Sequence, residues 1–123
     1  MNLSLVLAFA GSAMGVETRF DIVTTSTTSF KTGCYGINKT GAYWFVRLDE
    51  DMSNLSPTHR AVTRVHKGYD PISAKWVYSG PNETYHGYNA LYQGPVSGVS
   101  FRARLDDRDS GTLEFHGYFH HSF

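Results

Sequence analysis

The stretch SGVSFRARL, residues 97–105, alternates apolar and polar side chains with a period of two. One side carries Val99, Phe101, Ala103 and Leu105, and the other carries serine and arginine. Successive side chains of a β-strand point to opposite faces of its sheet, so this pattern predicts a strand with one buried face. A helix would need apolar residues three and four positions apart, and the sequence does not show that spacing.

Segments of the same kind lie on both sides of this stretch, separated by glycine and proline. We predict strands at residues 19–25, 30–37, 42–48, 61–67, 74–79, 88–93 and 97–105, and a closing strand from Thr112. Residues 38–41 predict a hairpin turn in which Asn38 and Gly41 supply positive φ angles. Segment 42–48 is apolar on both faces, which predicts a central strand covered on both sides.

Eight or nine short strands in one chain predict an all-β protein, a single-domain antiparallel β-sandwich or jelly roll spanning residues 1–123. This length is sufficient to bury one core without disulfides, and the single cysteine, Cys34, is predicted to be a buried free thiol. Eleven basic residues balance eleven acidic ones, which argues against a nucleic-acid partner. No apolar run reaches the roughly 18 residues of a membrane-spanning helix, so we predict no membrane insertion.

The first fifteen residues allow two interpretations. Large apolar side chains alternate with smaller ones at Leu3, Leu5, Leu7 and Phe9. This alternation predicts a buried strand that docks on a neighbouring subunit. The apolar run and the small residues after it also have features of a secretory leader, although no lysine or arginine precedes them. We expect residues 1–15 to be a docking strand, with a cleaved leader peptide as the alternative.

The chain closes on GTLEFHGYFHHSF, residues 111–123, which holds three of the six histidines. Residues four apart on a strand are separated by roughly 13 Å, so His116 and His120 cannot bind one metal ion. We predict a sheet strand whose polar face is either plain surface or a pH-sensitive contact. The candidate assembly residues here are His116, Tyr118, His120 and Phe123.

Residues 75–94 form the most aromatic part of the chain, KWVYSGPNETYHGYNALYQG. Aromatic rings beside amide and imidazole groups can stack on a sugar and hydrogen-bond to it. The candidate glycan-binding residues are Trp76, Tyr78, Asn82, Tyr85, His86 and Tyr88. The competing interpretation is that these rings pack one end of the sandwich. Four sequons, at Asn2, Asn38, Asn54 and Asn82, add support for an extracellular protein.

Metal and catalytic signals are weak. Asp107 and Asp109 stand on alternate residues before a glycine, as in a calcium loop, but a third spaced carboxylate and a closing glutamate are missing. No known catalytic motif is present, so we predict that the protein is not an enzyme and uses no cofactor.

Three functional hypotheses follow. The first is a non-enzymatic structural subunit of a virion, a capsid-decoration or tail component that assembles with itself and other structural proteins through strand edges. The alternative is a secreted carbohydrate-binding module. The third, a small hydrolase using histidine and aspartate, has no motif behind it.

Overall fold

The computed structural model describes residues 16–81 and 83–122. Within them the chain forms nine strands and one short 3₁₀ helix, Ala90–Tyr92. The strands are β1 (Glu17–Thr24), β2 (Lys31–Lys39), β3 (Tyr43–Leu48), β4 (Ala61–Lys67), β5 (Asp70–Pro71), β6 (Trp76–Tyr78), β7 (His86–Gly87), β8 (Val96–Leu105) and β9 (Leu113–His120).

The strands form two antiparallel sheets that share one core. The four-stranded sheet has the order β1-β9-β3-β7, and the five-stranded sheet has the order β2-β8-β4-β5, with β6 also paired to β4. Apolar side chains from both sheets belong to a single buried cluster. The predicted all-β antiparallel sandwich is therefore confirmed.

The predicted alternation of β8 is confirmed. Val99, Phe101, Ala103 and Leu105 are fully buried, whereas Arg102 and Arg104 lie on the opposite, half-exposed face. This strand pairs with β2 on one side and β4 on the other, so its apolar face forms the middle of its sheet's inner surface.

Aromatic rings join the two sheets across the core. Phe101 of β8 lies 4.8 Å from Phe20 of β1 and 4.9 Å from Phe119 of β9, measured between ring centroids. Phe20 also lies 4.8 Å from Phe115. Tilted and stacked ring pairs at these distances add stabilisation beyond the area they bury.

The predicted hairpin turn at residues 38–41 is wrong. β2 and β3 belong to different sheets, so this segment carries the chain from one sheet to the other. Lys39 is buried there, and its Nζ donates to the carbonyl oxygens of Gly41 (2.7 Å) and Gly94 (2.8 Å). These two bonds satisfy the buried ammonium and hold the corner in place of a hairpin ladder.

Two other local predictions are wrong. Residues 88–93 do not form a strand, because Tyr88 makes only an isolated bridge with Ser73 and the 3₁₀ helix follows. β3 is central, but Tyr43 and Arg47 on its outer side are exposed, so it is covered on one face only. Aromatic side chains are common on half-exposed strand faces as well as in cores, so the aromatic residues on the outer face of β3 did not indicate burial.

Candidate functional site

A cavity of about 210 Å³ opens at the surface between β6 of one sheet and β7 of the other. Its lining residues are Ala74, Trp76, Tyr85, His86 and Gly87. Three of these five residues, Trp76, Tyr85 and His86, come from the predicted glycan-binding set. Sequence analysis missed Ala74 and Gly87, whose small size leaves the cavity open and which carry no chemical signal of their own.

Trp76 forms one wall of the cavity and is supported by a stack of rings. Its side chain is 39% exposed, and its ring centroid lies 4.0 Å from that of His86. Beneath it, His86 packs against Trp44 at 4.9 Å and Tyr78 at 5.8 Å. The exposed indole is therefore anchored to the core, which preorganises it for contact with a flat ligand.

Tyr85 forms the other aromatic wall and is 62% exposed. Its ring meets Phe45 of β3 edge-on, at 5.2 Å and 85°. Phe45 stacks in turn on His120 of β9, at 4.2 Å. One wall of the cavity thus comes from β6 and the other from the loop before β7, and Phe45 is a supporting residue that sequence analysis did not identify.

His86 contributes the polar character of the cavity. It is almost fully buried, and no hydrogen-bond partner for its Nε2 is found within residues 16–81 and 83–122. Burial lowers its pKa below the usual 6.5, so the ring is neutral at pH 7. A neutral imidazole can donate one hydrogen bond and accept another.

Two other predicted glycan-binding residues, Tyr78 and Tyr88, do not line the cavity. Tyr78 and Tyr88 are core residues, and burial raises the pKa of both hydroxyl groups. Asn82 lies outside the described residues. The packing interpretation therefore holds for two of these rings, while Trp76, Tyr85 and His86 meet at the surface.

The predicted assembly residues of β9 lie in a network on the outer face of the four-stranded sheet. His116 Nδ1 is 2.6 Å from Asp21 Oδ1, and its Nε2 is 2.9 Å from Glu114 Oε1. Burial acts to lower the pKa of His116, but the bonds to Glu114 and Asp21 outweigh it, and the pKa is raised. Tyr118 lies beneath the guanidinium groups of Arg19 and Arg47, at 5.3 and 4.3 Å.

His120 Nε2 contacts a carboxylate oxygen of Glu17, and Glu17 also accepts a hydrogen bond from Arg47 at 2.9 Å. The described assembly residues are thus engaged within the chain. Leu3, Leu5, Leu7, Phe9 and Phe123 of the assembly prediction lie outside the described residues, as does the whole segment 1–15.

The weak metal candidates occupy a loop organised by arginine. Asp109 binds Arg60 through both carboxylate oxygens, at 2.7 and 3.0 Å, and its side chain is almost fully buried. Asp107 is exposed and is not part of this pair. Among the described residues, no three histidine, cysteine, aspartate or glutamate side chains lie close enough to hold a metal ion.

Cys34 is a free thiol in the core, as predicted. Burial raises its pKa to about 12. The thiolate form, which is the reactive form of cysteine, is therefore disfavoured at neutral pH.

A second depression, wider and shallower, lies beside residues 38–40 and 95–97. Its lining residues are Asn38, Lys39, Thr40, Pro95, Val96 and Ser97, and none of them is aromatic. The cavity at Trp76 is therefore the better candidate for binding a flat ligand.

The fold and the cavity define the class: a small two-sheet β-sandwich with a stacked aromatic cavity between the sheets. Comparison with protein-family models, with curated proteins and with solved structures found no match for this chain. In the described residues, no helix has the length and apolar character needed to span a membrane.

Proposed function

We propose that this protein is a non-enzymatic carbohydrate-binding module that takes one sugar residue into the cavity at Trp76. The observation that supports this most is the convergence of an anchored, partly exposed indole, an exposed tyrosine and a neutral histidine around one small cavity. A sugar presents an apolar face to an aromatic ring and hydroxyl groups to polar side chains, and this cavity offers both kinds of contact.

The dimensions of the cavity agree with a small ligand. Pockets for drug-sized molecules usually measure about 300–1,000 Å³, whereas this cavity measures about 210 Å³. One sugar ring of a longer chain is a suitable occupant, with neighbouring sugar residues remaining over the surface. Binding through a single anchored ring predicts modest affinity, with Trp76 contributing most of it.

The first test measures glycan binding by the full chain and by Trp76→Ala. Screening against an array of neutral polysaccharides identifies the ligand, and titration calorimetry gives its affinity. We expect Trp76→Ala to weaken binding by about tenfold or more, because it removes the stacking wall. Tyr69→Ala is a matched control, since Tyr69 is 93% exposed and lies in the β4–β5 turn, away from the cavity.

Tryptophan fluorescence provides an independent measurement. The chain has two tryptophans, and Trp44 is buried in the core while Trp76 lines the cavity. In the wild-type chain, a bound sugar should protect Trp76 from quenching by acrylamide. In Trp76→Phe only Trp44 remains, and adding the sugar should leave its quenching unchanged. If no neutral glycan binds, or if Trp76→Ala binds as tightly as the wild-type chain, the proposal is wrong.

A second candidate is the structural subunit of a virion. The observation that favours it is the edge formed by β1, which hydrogen-bonds as a strand only to β9 within the described residues. An open, regular strand edge can accept a strand from a neighbouring subunit. Lys31 Nζ covers only one carbonyl near the end of this strand, that of Val23, at 2.9 Å.

A further inference from the structure

Three arginines gather on the outer face of the five-stranded sheet. Arg64 of β4 is the register partner of Arg102 of β8, so the two positively charged residues stand directly opposite each other. Arg104 follows two residues later on the same face of β8. Residues opposite each other on neighbouring strands are about 5 Å apart, and residues two apart along a strand about 7 Å. We call these three residues the arginine face.

In the part of the chain that the structure describes, the arginine face forms no ion pair with a carboxylate. The chain has seven arginines, and the other four, Arg19, Arg47, Arg60 and Arg108, each form an ion pair. None of the three on this face does so within residues 16–81 and 83–122, and all eleven aspartates and glutamates of the chain belong to those residues. No aspartate or glutamate of the described residues therefore neutralises the positive charge here.

Neutral groups hold the guanidinium groups in place. Arg64 Nε donates to His66 Nε2 at 3.0 Å, and Arg102 Nε donates to Ser100 Oγ at 3.0 Å. Arg104 Nη1 donates to the carbonyl oxygen of Thr27 at 3.1 Å. Each guanidinium group has five N–H donors, so these contacts orient the groups and leave other donors available.

The crowding of positive charges on the arginine face helps to lower the pKa values of Arg64 and His66. The pKa of Arg64 is lowered by burial and then by the charges of Arg104 and Arg102. The pKa of His66 is lowered by burial and then by Arg102 and Arg64, so its ring is neutral at pH 7. Like charges directly opposite each other destabilise a sheet, and a bound multivalent anion would remove this repulsion.

We propose that the arginine face binds the sulfate groups of an extended, sulfated polysaccharide. Guanidinium groups bind tetrahedral oxyanions through paired N–H donors, and a sheet face carrying three of them can contact successive charged groups of one polysaccharide chain. Trp76 is the register partner of Thr63, and both lie on the inner face of the sheet. Arg64 is the next residue along β4 and lies on the outer face. The arginine face and the Trp76 cavity are thus separate surfaces, and this inference does not rest on the proposed function.

A sulfated polysaccharide fits this surface better than a nucleic acid. Single-stranded nucleic acids bind by stacking bases on aromatic rings as well as by phosphate contacts. Phe30 lies against this face, and the guanidinium carbons of Arg64 and Arg104 lie over its ring at 4.5 and 5.2 Å. This ring is already covered by the two guanidinium groups, so it is not available to stack on a base.

The test measures binding of the full chain to heparin and to chemically desulfated heparin, at low and at physiological salt. We expect binding to heparin alone, weakened by salt. The double variant Arg64→Gln/Arg102→Gln should lose about tenfold or more in affinity, because each charged hydrogen bond lost is a sizeable part of the binding energy. Arg47→Gln removes one positive charge from the outer face of the other sheet and should leave the affinity within about twofold.

A second variant guards against a folding defect. Arg64→Lys/Arg102→Lys keeps both charges but removes the paired donors, so its affinity should lie between those of the wild-type chain and the glutamine variant. Trp76→Ala should keep full heparin affinity, which separates this proposal from that of the cavity. Equal binding of desulfated heparin, wild-type affinity in the folded glutamine variant, or tighter binding to single-stranded RNA than to heparin would each overturn the proposal.

Discussion

Two histidines near the end of the chain show how the surroundings of a side chain determine its protonation. His116 lies between Asp21 and Glu114, and these carboxylates raise its pKa above 6.5 despite burial. His121, directly after β9, is buried beside the hydroxyl groups of Thr18 and Ser122, and burial lowers its pKa to about 4. The same residue type therefore favours opposite charge states five residues apart.

The stability of the protein should depend on these two histidines with opposite signs. The folded chain holds the His116 proton more tightly than the unfolded chain, so His116 stabilises below about pH 6.5 and loses this effect as the pH rises through its raised pKa. His121 stabilises above about pH 6.5 and loses this effect as the pH falls toward 4. The loss at His121 corresponds to about 3 kcal/mol of unfolding free energy.

Urea denaturation between pH 4 and 8 checks this prediction. Relative to the wild-type chain, His121→Gln should show a smaller loss of stability on the acid side, and His116→Gln should lose stability mainly below pH 6.5. NMR titration of the two ring protons gives the pKa values directly. Equal pKa values for the two rings would contradict the prediction.

At the scale of the element, β9 is the strand on which the four-stranded sheet depends. It pairs with β1 along its whole length and with β3 over its second half. Gly117 lies at this junction, paired with Phe20 on one side and Leu48 on the other. A Cβ atom placed on Gly117 would overlap the carbonyl oxygen of Arg47 and lie 3.2 Å from Leu48 Cα.

Replacing this glycine should therefore be costly. We expect Gly117→Ala to lower the unfolding free energy by about 1–3 kcal/mol, because backbone atoms of β3 must move to accommodate the methyl group. Gly80→Ala is a matched control, since a Cβ there meets no atom within 4 Å and the φ angle is not positive. Urea denaturation of both variants checks the prediction, and similar stabilities would show that the β3–β9 contact is less tight than described.

At the scale of the whole molecule, the two sheets leave different strand edges open. β2, at one edge of the five-stranded sheet, is interrupted by three register shifts and by Gly36 at a φ of 69°. Such irregularities hinder pairing with another chain. β1 is regular along all eight residues, so it is the more suitable edge for association if the protein is a structural subunit.

Native mass spectrometry of the full chain tests this second candidate function. A structural subunit should form a trimer or larger assembly, and a chain lacking residues 1–9 should remain folded but monomeric. If the shortened chain assembles as the full chain does, residues 1–9 have no docking role. A monomeric full chain that binds a glycan through Trp76 would support the carbohydrate-binding module alone.

The strands could be predicted from the sequence where apolar and polar residues alternate over many positions. The period of β8 identified Val99, Phe101, Ala103 and Leu105 as core residues. Short segments were less informative. Residues 88–93 hold the 3₁₀ helix Ala90–Tyr92 instead of a strand, and the corner at residues 38–41 depends on the bonds of a buried Lys39. The aromatic segment was identified as a candidate site, but its pattern could not separate exposed Trp76 from buried Tyr78, two residues away.

The sequence by itself determined the class of the fold, because a period of two over several strands can bury its apolar face only by packing one sheet against another. It also determined that Cys34 would be buried and that no catalytic motif is present. Only the tertiary structure decided which side chains meet. Trp76 and Tyr85 share a cavity, and Arg64 stands opposite Arg102, because strand register joins residues that are far apart in the chain.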